Sequence, residues 1–552
     1  MKNFFSLISK KEWLVIFIMS FLLTTITTGP YILGYLVAPE GRTYNGLHAL
    51  SPGDIPVYYS YINQAKAGNL FVKNLFTSED HPGILNLWWG GVGVLAGTFD
   101  LSPFTAFQLA RVLMIPVFLV ISYFFLAYFF SSATKRIIAY IFLLFSSGVG
   151  FYVAAPLSIF GVDQSNNYRW PIDLWLTEAN TFNALYQTSH FIASLALTLL
   201  IFLLMLLAWE KSRPAWAIIA GFLGLFYFNF HPFYVPVIYG VLGIYLALLI
   251  WQAKKILWRQ VFYYCLFLII SLPSVFYHWW LVRNVSAIEI RGLQNITNIS
   301  PFIFVLAGYG FLWLGFFLGI YFLVKNKKIT NKHRFLLIWF LVNFSLIYGP
   351  FPFHSRYTQG LHVILVIFTA SGLFDFYQHL KNKLSARVFN FWIKNSALWL
   401  ILFLVLFTPS TLYSLGRDVR LFLKPSVVMV GYLFLSNDFL KATTWLSFQD
   451  PEQVVLAADT TSKFIPGFSN QRVYLAHGIE TLFFTAKEKE LHYFYGSNND
   501  DSNKLRFLKK AGIDYVLYSS YEKELGDFNP QEKDYLKPVF IAGEVSLYQV
   551  LD

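Results

Sequence analysis

The sequence has little charge and almost no cysteine, and these two shortages exclude several classes of protein. Only 13% of its 552 residues are Asp, Glu, Lys or Arg, about half the share found in soluble globular proteins. The single cysteine, Cys265, lies in an apolar stretch, so a disulfide framework and a cysteine-based metal site are both excluded. The polar C-terminal part contains no glycine-rich phosphate loop, which argues against a nucleotide site there.

Hydrophobic residues make up 56% of the chain and aromatic residues 20%, a composition typical of proteins that cross a membrane many times. The charges divide the chain into two parts. From Asn437 onward there are 17 acidic and 12 basic residues, which leaves 13 of the 30 acids and 30 of the 42 bases to the rest. We therefore expect a membrane domain over residues 1–436 and a soluble domain over residues 437–552. Because basic residues beside membrane spans serve orientation, we expect no nucleic acid partner.

Eleven apolar stretches are long enough to cross a bilayer, for which about twenty residues suffice. The first follows lysines but lacks a small-residue cleavage site, so we interpret it as an uncleaved span. The predicted spans are residues 13–37, 104–130, 137–160, 182–208, 214–230, 233–251, 261–282, 301–324, 335–350, 360–379 and 396–415. The sequence thus predicts an α-helical polytopic membrane protein.

Lysine and arginine set the predicted orientation of these spans. They form six clusters, each before the first span or after an even-numbered one: Lys2/Lys10/Lys11, Lys135/Arg136, Lys211/Arg213, Lys254/Lys255/Arg259, Lys325/Lys327/Lys328/Lys332/Arg334 and Lys381/Lys383/Arg387/Lys394. Positively charged loops stay in the cytoplasm. We therefore predict a multi-pass protein of the plasma or inner membrane, with a cytoplasmic N-terminus and an extracytoplasmic C-terminal domain.

The first outer loop, residues 38–103, is unusually long, charged and aromatic. It contains Pro52-Gly53-Asp54 and then a helical pattern over Ile55–Ala67, which places Tyr58, Tyr61, Ile62 and Ala65 on one face. We predict a surface-lying helix there and a second interfacial helix over Pro82–Gly97, which is too short and too rich in glycine to span. Asp54 precedes the first helix, so it either caps that helix or has a functional role.

The tail alternates short apolar runs with helical segments. The predicted strands are Val454–Ala457, Arg472–Leu475, Tyr515–Tyr518 and Val545–Val550, and the predicted helices are Lys441–Ser447 and Leu505–Lys510. Such alternation favours a small α/β domain.

Acids, histidines and isolated arginines collect at the predicted outer face, which indicates a site for a polar, anionic group. The candidates are Asp54, Glu79, Asp80, His81, Arg111, Asp163, Arg169, Asp173, Glu178, His190, His231, His354, Arg356 and Tyr357. Each has a structural alternative. The arginines could pair with carboxylates and join helices, His231 could cap a turn, and Glu79 and Asp80 could cap a helix that begins at Pro82. A metal site of His81, Asp80 and Glu178 stays open, although no close ligand spacing supports it.

Taken in order along nearly the whole chain, these features resemble the GT-C glycosyltransferases. The resemblance rests on Asp54 early in the first outer loop, two interfacial helices in that loop, and His81-Pro82 opening the second. Arg111 on the next span and the late pair Arg356-Tyr357 continue it. The tail segment His477-Gly478-Ile479-Glu480-Thr481 resembles the extracytoplasmic domains of bacterial members. Two positions depart from the family pattern: Ile55 stands where many relatives have a second acid, and His81-Pro82-Gly83 replaces a double proline.

The resemblance implies a fold of about eleven membrane helices and an enzyme that takes a sugar from a polyprenyl-phosphate carrier. The acceptor would be a glycan, lipid or protein, and a membrane lipid would be a further partner. Asp54 would act as the base, and Arg111 and Arg356 would bind the phosphate with Tyr357, His354, His190, His231 and His81 beside them. The second carboxylate stays open between Glu79, Asp80 and Glu178, and so does a divalent cation as cofactor.

Two other functions compete with this interpretation. A transporter or lipid flippase would place ionisable residues near the membrane midplane and would show repeated halves, and the spans show little of either. A non-enzymatic assembly protein that anchors and presents the tail domain would make the loop acids dispensable.

Overall fold

The computed structural model describes residues 8–50, 52–159, 169–383, 385 and 396–551. The candidate Asp163 and the basic residues Lys2, Arg387 and Lys394 lie outside these ranges.

Most of the described chain is helical. In chain order the α-helices are α1 (Lys10–Leu36), α2 (Ile55–Lys66), α3 (Leu87–Thr98), α4 (Pro103–Phe129), α5 (Ala133–Phe145), α6 (Gly150–Ile159), α7 (Thr181–Gln187), α8 (Ser189–Lys211), α9 (Pro214–Phe230), α10 (Val235–Ala253), α11 (Trp258–Asn284), α12 (Ser286–Gln294), α13 (Phe302–Tyr309), α14 (Phe311–Lys325), α15 (Asn331–Ile347), α16 (Leu361–Lys383), α17 (Ser396–Phe407), α18 (Pro409–Leu423), α19 (Val427–Leu433), α20 (Asn437–Ser447), α21 (Asp459–Ser462), α22 (Ile465–Ser469), α23 (Phe484–Gly496), α24 (Asp501–Lys510) and α25 (Ser520–Lys523).

The long apolar helices make this an integral multi-pass membrane protein. Within the described ranges, seven helical stretches are long and apolar enough to span: Lys10–Leu36, Pro103–Phe129, Ala133–Ala154, Ser189–Lys211, Pro232–Ala253, Trp258–Asn284 and His354–Lys383. Two bent helix pairs, α13 with α14 and α17 with α18, raise the count to nine if each is one span. Each of the eleven predicted spans overlaps a helix, but the number of membrane crossings and their direction stay predictions.

Glycine makes one of the bends possible. The axes of α13 and α14 meet at 80°, and Gly310 lies between them with φ +48°. An L side chain rarely adopts that backbone conformation, and a Cβ there would lie 2.8 Å from the backbone nitrogen of Val149. The bend therefore depends on glycine for both conformation and space.

The strands form one larger sheet and two short pairs. They are β1 (Arg42–Tyr44), β2 (Phe71–Val72), β3 (Ile84–Leu85), β4 (Phe434–Ser436), β5 (Val454–Leu456), β6 (Arg472–Val473), β7 (Tyr515–Tyr518), β8 (Leu536–Ala542) and β9 (Val545–Val550). The five-stranded sheet has the order β6-β5-β7-β9-β8, with β5 parallel to β6 and β7, and β9 antiparallel to β7 and β8. Helices α23 and α24 bury Phe494 and Leu508 in its core with Leu456 and Val516.

The chain divides into two compact units. The first unit comprises Met1–Pro30, Arg111–His278 and Ile296–Val419, and the second comprises Tyr31–Ala110, Trp279–Asn295 and Arg420–Asp552. The first outer loop and the tail therefore belong to the same unit. The predicted domain boundary between residues 436 and 437 stays a prediction.

Both helices predicted in the first outer loop exist, with two corrections, and their position at the membrane interface stays a prediction. Helix α2 begins at the predicted residue, but nine of its twelve residues are buried, so the surface-lying placement is wrong. Its burial follows from close packing, because a Cβ on Gly93 of α3 would lie 2.3 Å from the Ala65 side chain. Helix α3 begins at Leu87 and not at Pro82, and the Asn86 side chain caps it by accepting from the Trp89 backbone N–H.

Candidate active site

Asp54 closes a short 3-10 helix, Pro52–Asp54, directly before α2. Its side chain makes no capping hydrogen bond to α2, so the capping alternative is wrong. Pro56 in the first turn of α2 has no backbone N–H, which reduces the need for a cap. Instead, Asp54 Oδ1 lies 3.4 Å from His477 Nε2, and the Asp54 side chain is 33% exposed. The carboxylate is thus held by a neighbour and still reachable from solvent.

His477 has a defined orientation and tautomer. Its Nδ1 accepts hydrogen bonds from the backbone N–H groups of Ile479 and Glu480, both at 3.2 Å. An imidazole nitrogen that accepts carries no proton, so in the neutral ring the proton is on Nε2. The Nε2–H group therefore faces the Asp54 carboxylate.

The segment His477–Thr481 is fixed to the first loop by further hydrogen bonds. Thr481 Oγ1 donates to the backbone oxygen of Phe76 at 2.6 Å and accepts from the N–H of His477 at 3.1 Å. The Asn74 side-chain amide donates to the backbone oxygen of Glu480 at 2.7 Å. Loop and tail therefore meet at this segment through contacts that do not involve Asp54.

Helix α12 adds a cation to the same region of the second unit. Arg291 Nη2 lies 2.6 Å from Glu480 Oε1, and Gln294 Nε2 donates to the backbone oxygen of Thr481 at 3.0 Å. Nearby, burial raises the pKa of Tyr61 to about 12, although the charge of Arg291 lowers it. Glu480 Oε2 is buried and has no hydrogen-bond partner among the residues described.

Glu79 and Asp80 are both held in ion pairs. Lys487 Nζ lies 2.7 Å from Glu79 Oε2. Burial raises the pKa of Glu79, but hydrogen bonds from Lys487 and Thr77 outweigh it and hold that pKa below its usual value. Asp80 pairs with Arg472, and with Lys73 at 3.3 Å. Neither acid caps α3, so that alternative is wrong.

His81 lies beside these acids without forming a metal site. Its Nε2 is 3.2 Å from the backbone oxygen of Asn74 and its Nδ1 is 3.1 Å from that of Pro82. Within the described parts of the chain, no three His, Cys, Asp or Glu side chains are placed to hold a metal ion. Glu178 belongs to the first unit and His81 and Asp80 to the second, so the metal site of these three residues stays a prediction.

In the first unit, Arg356 and Glu178 form a buried ion pair. Arg356 Nη1 lies 2.6 Å from Glu178 Oε1, with side chains 20% and 1% exposed. Short 3-10 helices position both residues, Thr177–Ala179 for Glu178 and His354–Thr358 for Arg356. Glu178 Oε2 is buried and has no hydrogen-bond partner in the described residues, which is costly for a carboxylate unless something else supplies a donor.

Two histidines extend this cluster. The buried ring of His231 lies 6.3 Å, centroid to centroid, from that of His190. Phe191 lies 6.1 Å from the His231 ring and 5.6 Å from the Arg356 guanidinium. The His231 Nε2 atom is buried without a hydrogen-bond partner among described residues. The Arg356 guanidinium and two imidazoles thus lie around the Phe191 ring.

The other candidates of the first unit have structural contacts. His354 Nδ1 lies 2.8 Å from the backbone oxygen of Ile347, and Tyr357 is buried against Phe351 at 6.3 Å between ring centroids. Arg111 is fully buried and donates to Thr27 Oγ1 and Thr28 Oγ1, both at 3.1 Å. These residues hold helices and loops together, and their roles in binding stay predictions.

Asp173 is buried beside the start of α6, whereas Arg169 is exposed. The Asp173 carboxylate accepts a hydrogen bond from the Gly150 backbone N–H at 3.2 Å and so caps the N-terminus of α6. Burial raises the pKa of Asp173 to about 7, even though hydrogen bonds from Ser410 and Gly150 lower it.

No protein-family model and no curated protein matches this sequence, but solved structures do. The oligosaccharyltransferase of Archaeoglobus fulgidus, tethered to an acceptor peptide, matches over 92% of this chain and 69% of its own, with 14% identity and a TM-score of 0.51. The arabinofuranosyltransferase AftD from Mycobacteria matches over 99% of this chain and 42% of its own, with 13% identity and a TM-score of 0.52. ArnT from Cupriavidus metallidurans, bound to undecaprenyl phosphate, matches over 98% of both chains with 14% identity and a TM-score of 0.45.

The chain has the fold of GT-C glycosyltransferases. The resemblance predicted from the sequence is therefore confirmed at the level of the fold. In this GT-C fold the structure places Asp54 against the tail, and it places Glu178, His190, His231 and Arg356 together. Sequence reasoning did not assign a role to His477, Glu480 or Arg291. The signal in the sequence is the tail segment His477–Thr481, which carries a family resemblance but no spacing that links it to Asp54.

Proposed function

We propose that this protein is an integral-membrane glycosyltransferase that moves a sugar from a polyprenyl-phosphate carrier to an acceptor on the outer face of the membrane. The observation that carries the proposal is the GT-C fold with the reachable carboxylate Asp54 in its first loop. The outer face follows from the six clusters of basic residues. The apolar membrane helices would hold the polyprenyl chain.

The reaction would be a single displacement. The acceptor hydroxyl or amine forms a bond to the anomeric carbon as the bond from that carbon to the phosphate oxygen breaks. The acceptor proton passes to the Asp54 carboxylate, and the polyprenyl phosphate leaves with the electron pair. Attack opposite to the leaving group inverts the anomeric centre. A positioned carboxylate is suited to such proton transfer.

The leaving phosphate needs a fixed cation, and Arg356 is our assignment for it. Guanidinium presents several N–H groups in one plane and matches phosphate geometry better than an ammonium group does. The ion pair with Glu178 holds Arg356 in place before any substrate binds. A cation that is already positioned stabilises developing negative charge without reorganising.

Glu178 is our assignment for the second functional carboxylate. All three acids that the sequence left open form ion pairs, Glu79 with Lys487, Asp80 with Arg472 and Glu178 with Arg356. Glu178 Oε2 is buried without a partner among described residues, so a hydroxyl group of the bound sugar would satisfy it. A sugar hydroxyl would then lie beside the Arg356–Glu178 pair.

The test is transfer by membranes that contain the protein. We would supply a panel of radiolabelled polyprenyl-phosphate sugars, with membranes lacking the protein as control, and measure label that leaves the carrier. Transfer or tight binding of at least one sugar is expected. If no sugar of the panel is bound or transferred, the proposal is wrong, and the transporter and anchoring alternatives gain weight.

A further inference from the structure

The tail contributes a side chain to the proposed base. His477 Nε2 lies 3.4 Å from Asp54 Oδ1, and the neutral ring carries its proton on Nε2 because Nδ1 accepts two backbone hydrogen bonds. We infer that His477 is a positioning residue that orients the Asp54 carboxylate for proton transfer. This inference rests on the proposed function.

The physical argument is that a carboxylate rotates readily about its Cβ–Cγ bond. A donor fixed on one carboxylate oxygen restrains this rotation, and a base that is displaced by about 1 Å can lose about 100-fold in rate. The His477 ring is itself fixed, since its side chain is only 11% exposed and its turn is closed by Thr481. The donor is therefore rigid enough to orient its partner.

A purely structural role for this contact is not needed, because other contacts already join the loop to the tail. Lys487 pairs with Glu79 at 2.7 Å, Asn74 donates to the Glu480 backbone at 2.7 Å, and Thr481 donates to the Phe76 backbone at 2.6 Å. None of them involves the Nε2 atom of His477. The group that uses this atom is Asp54.

Substitution of His477 by asparagine keeps the hydrogen-bond acceptor that Nδ1 provides and removes the donor that Nε2 provides. In His477→Asn, the side-chain oxygen can accept from the N–H groups of Ile479 and Glu480, as asparagine does in turns, but the side chain is too short to reach Asp54. We expect kcat to fall about 10- to 100-fold with an unchanged donor KM. Lys487→Met is the matched control, because it removes a different contact between the same two segments, and it should leave kcat near the wild-type value.

A double-mutant cycle shows whether His477 acts through Asp54. If it does, His477→Asn should have no further effect on kcat in an Asp54→Asn background, because the group it orients is already gone. A second pair of variants, His477→Gln and His477→Met, covers the case in which the asparagine variant does not fold. Both lack Nδ1, but only glutamine can donate to Asp54, so it should turn over about tenfold faster than methionine.

Three outcomes would overturn the inference. They are wild-type turnover by a folded His477→Asn variant, an undiminished effect of that change in the Asp54→Asn background, and equal turnover of the glutamine and methionine variants. Each requires an active wild-type enzyme, so each leaves the proposed function intact. A wild-type protein that transfers no sugar overturns the proposed function, and this inference falls with it.

Discussion

The substitution Asp54→Asn tests the proposed base, and the structure sets its expected effect. Asparagine keeps the size of the side chain, and its Oδ1 can still accept from the Nε2–H group of His477. No capping hydrogen bond is lost, because Asp54 makes none to α2. The change in unfolding free energy should therefore stay within about 0.5 kcal/mol. Loss of the basic group should lower turnover about 10²- to 10⁴-fold, which corresponds to about 2.7–5.4 kcal/mol in the activation barrier.

The assay measures kcat, donor affinity and thermal unfolding on the same purified variant. Asp100→Asn is a matched control, because it makes the same change in the same loop on a side chain that is 93% exposed and pairs with Lys66 at 2.7 Å. The control should keep its turnover, and donor affinity should be unchanged in both variants. Near-normal turnover by Asp54→Asn would refute the assignment and pass the role of base to Glu178.

The remaining predictions concern the phosphate, a buried acid and the orientation. Arg356→Lys keeps the ion pair with Glu178 but loses the planar fork of N–H groups, so equilibrium binding of the donor should weaken about tenfold; unchanged affinity would make the arginine a structural link only. Burial raises the pKa of Asp173 in the folded state from 3.8 to about 7. The protonated carboxyl therefore contributes fully to the stability of the fold below about pH 3.8, and this contribution is lost as the pH rises through 7. Asp173→Asn should therefore unfold at a higher temperature than wild type at pH 8 and lose that advantage as the pH falls towards 4; a pH-independent difference would contradict the role of burial. Alkaline phosphatase fused after Asp552 should be active and a fluorescent protein that folds only in the cytoplasm should stay dark there, whereas the reverse pattern would contradict the orientation.

Local patterns in the sequence predicted much of the secondary structure. The predicted start of α2 at Ile55 and the predicted bounds of β7 and β9 agree with the structure. These features depend on turn residues and on apolar periodicity, which are patterns within a few neighbouring residues. The sequence did not predict β8 or α23. Lys537 and Pro538 interrupt the apolar pattern of β8, and α23 has no clear apolar face because Lys and Glu alternate along its middle.

Burial and pairing could not be predicted in the same way. The surface-lying placement of α2 was wrong because its polar residues Ser60 and Gln64 are buried against other parts of the second unit. Their burial depends on tertiary packing and on hydrogen bonds such as that from Gln64 to the Lys73 backbone at 2.9 Å. Likewise, Glu79 and Lys487 are 408 positions apart, and no local signal connects such residues.

The contacts between the acids of the first loop and the tail help to distinguish an enzyme from an anchoring protein. If the protein only anchored and presented the tail, the acids of the first loop would serve to fasten it. Glu79 and Asp80 do so, through Lys487 and Arg472. Asp54 differs, because its carboxylate lies against the imidazole of His477 and remains one-third exposed. A contact at 3.4 Å with an imidazole N–H group holds the tail to the loop less firmly than a short ion pair with lysine or arginine does. That arrangement is poor for anchoring and well suited to proton transfer, so it favours an enzyme in which the tail completes the first loop.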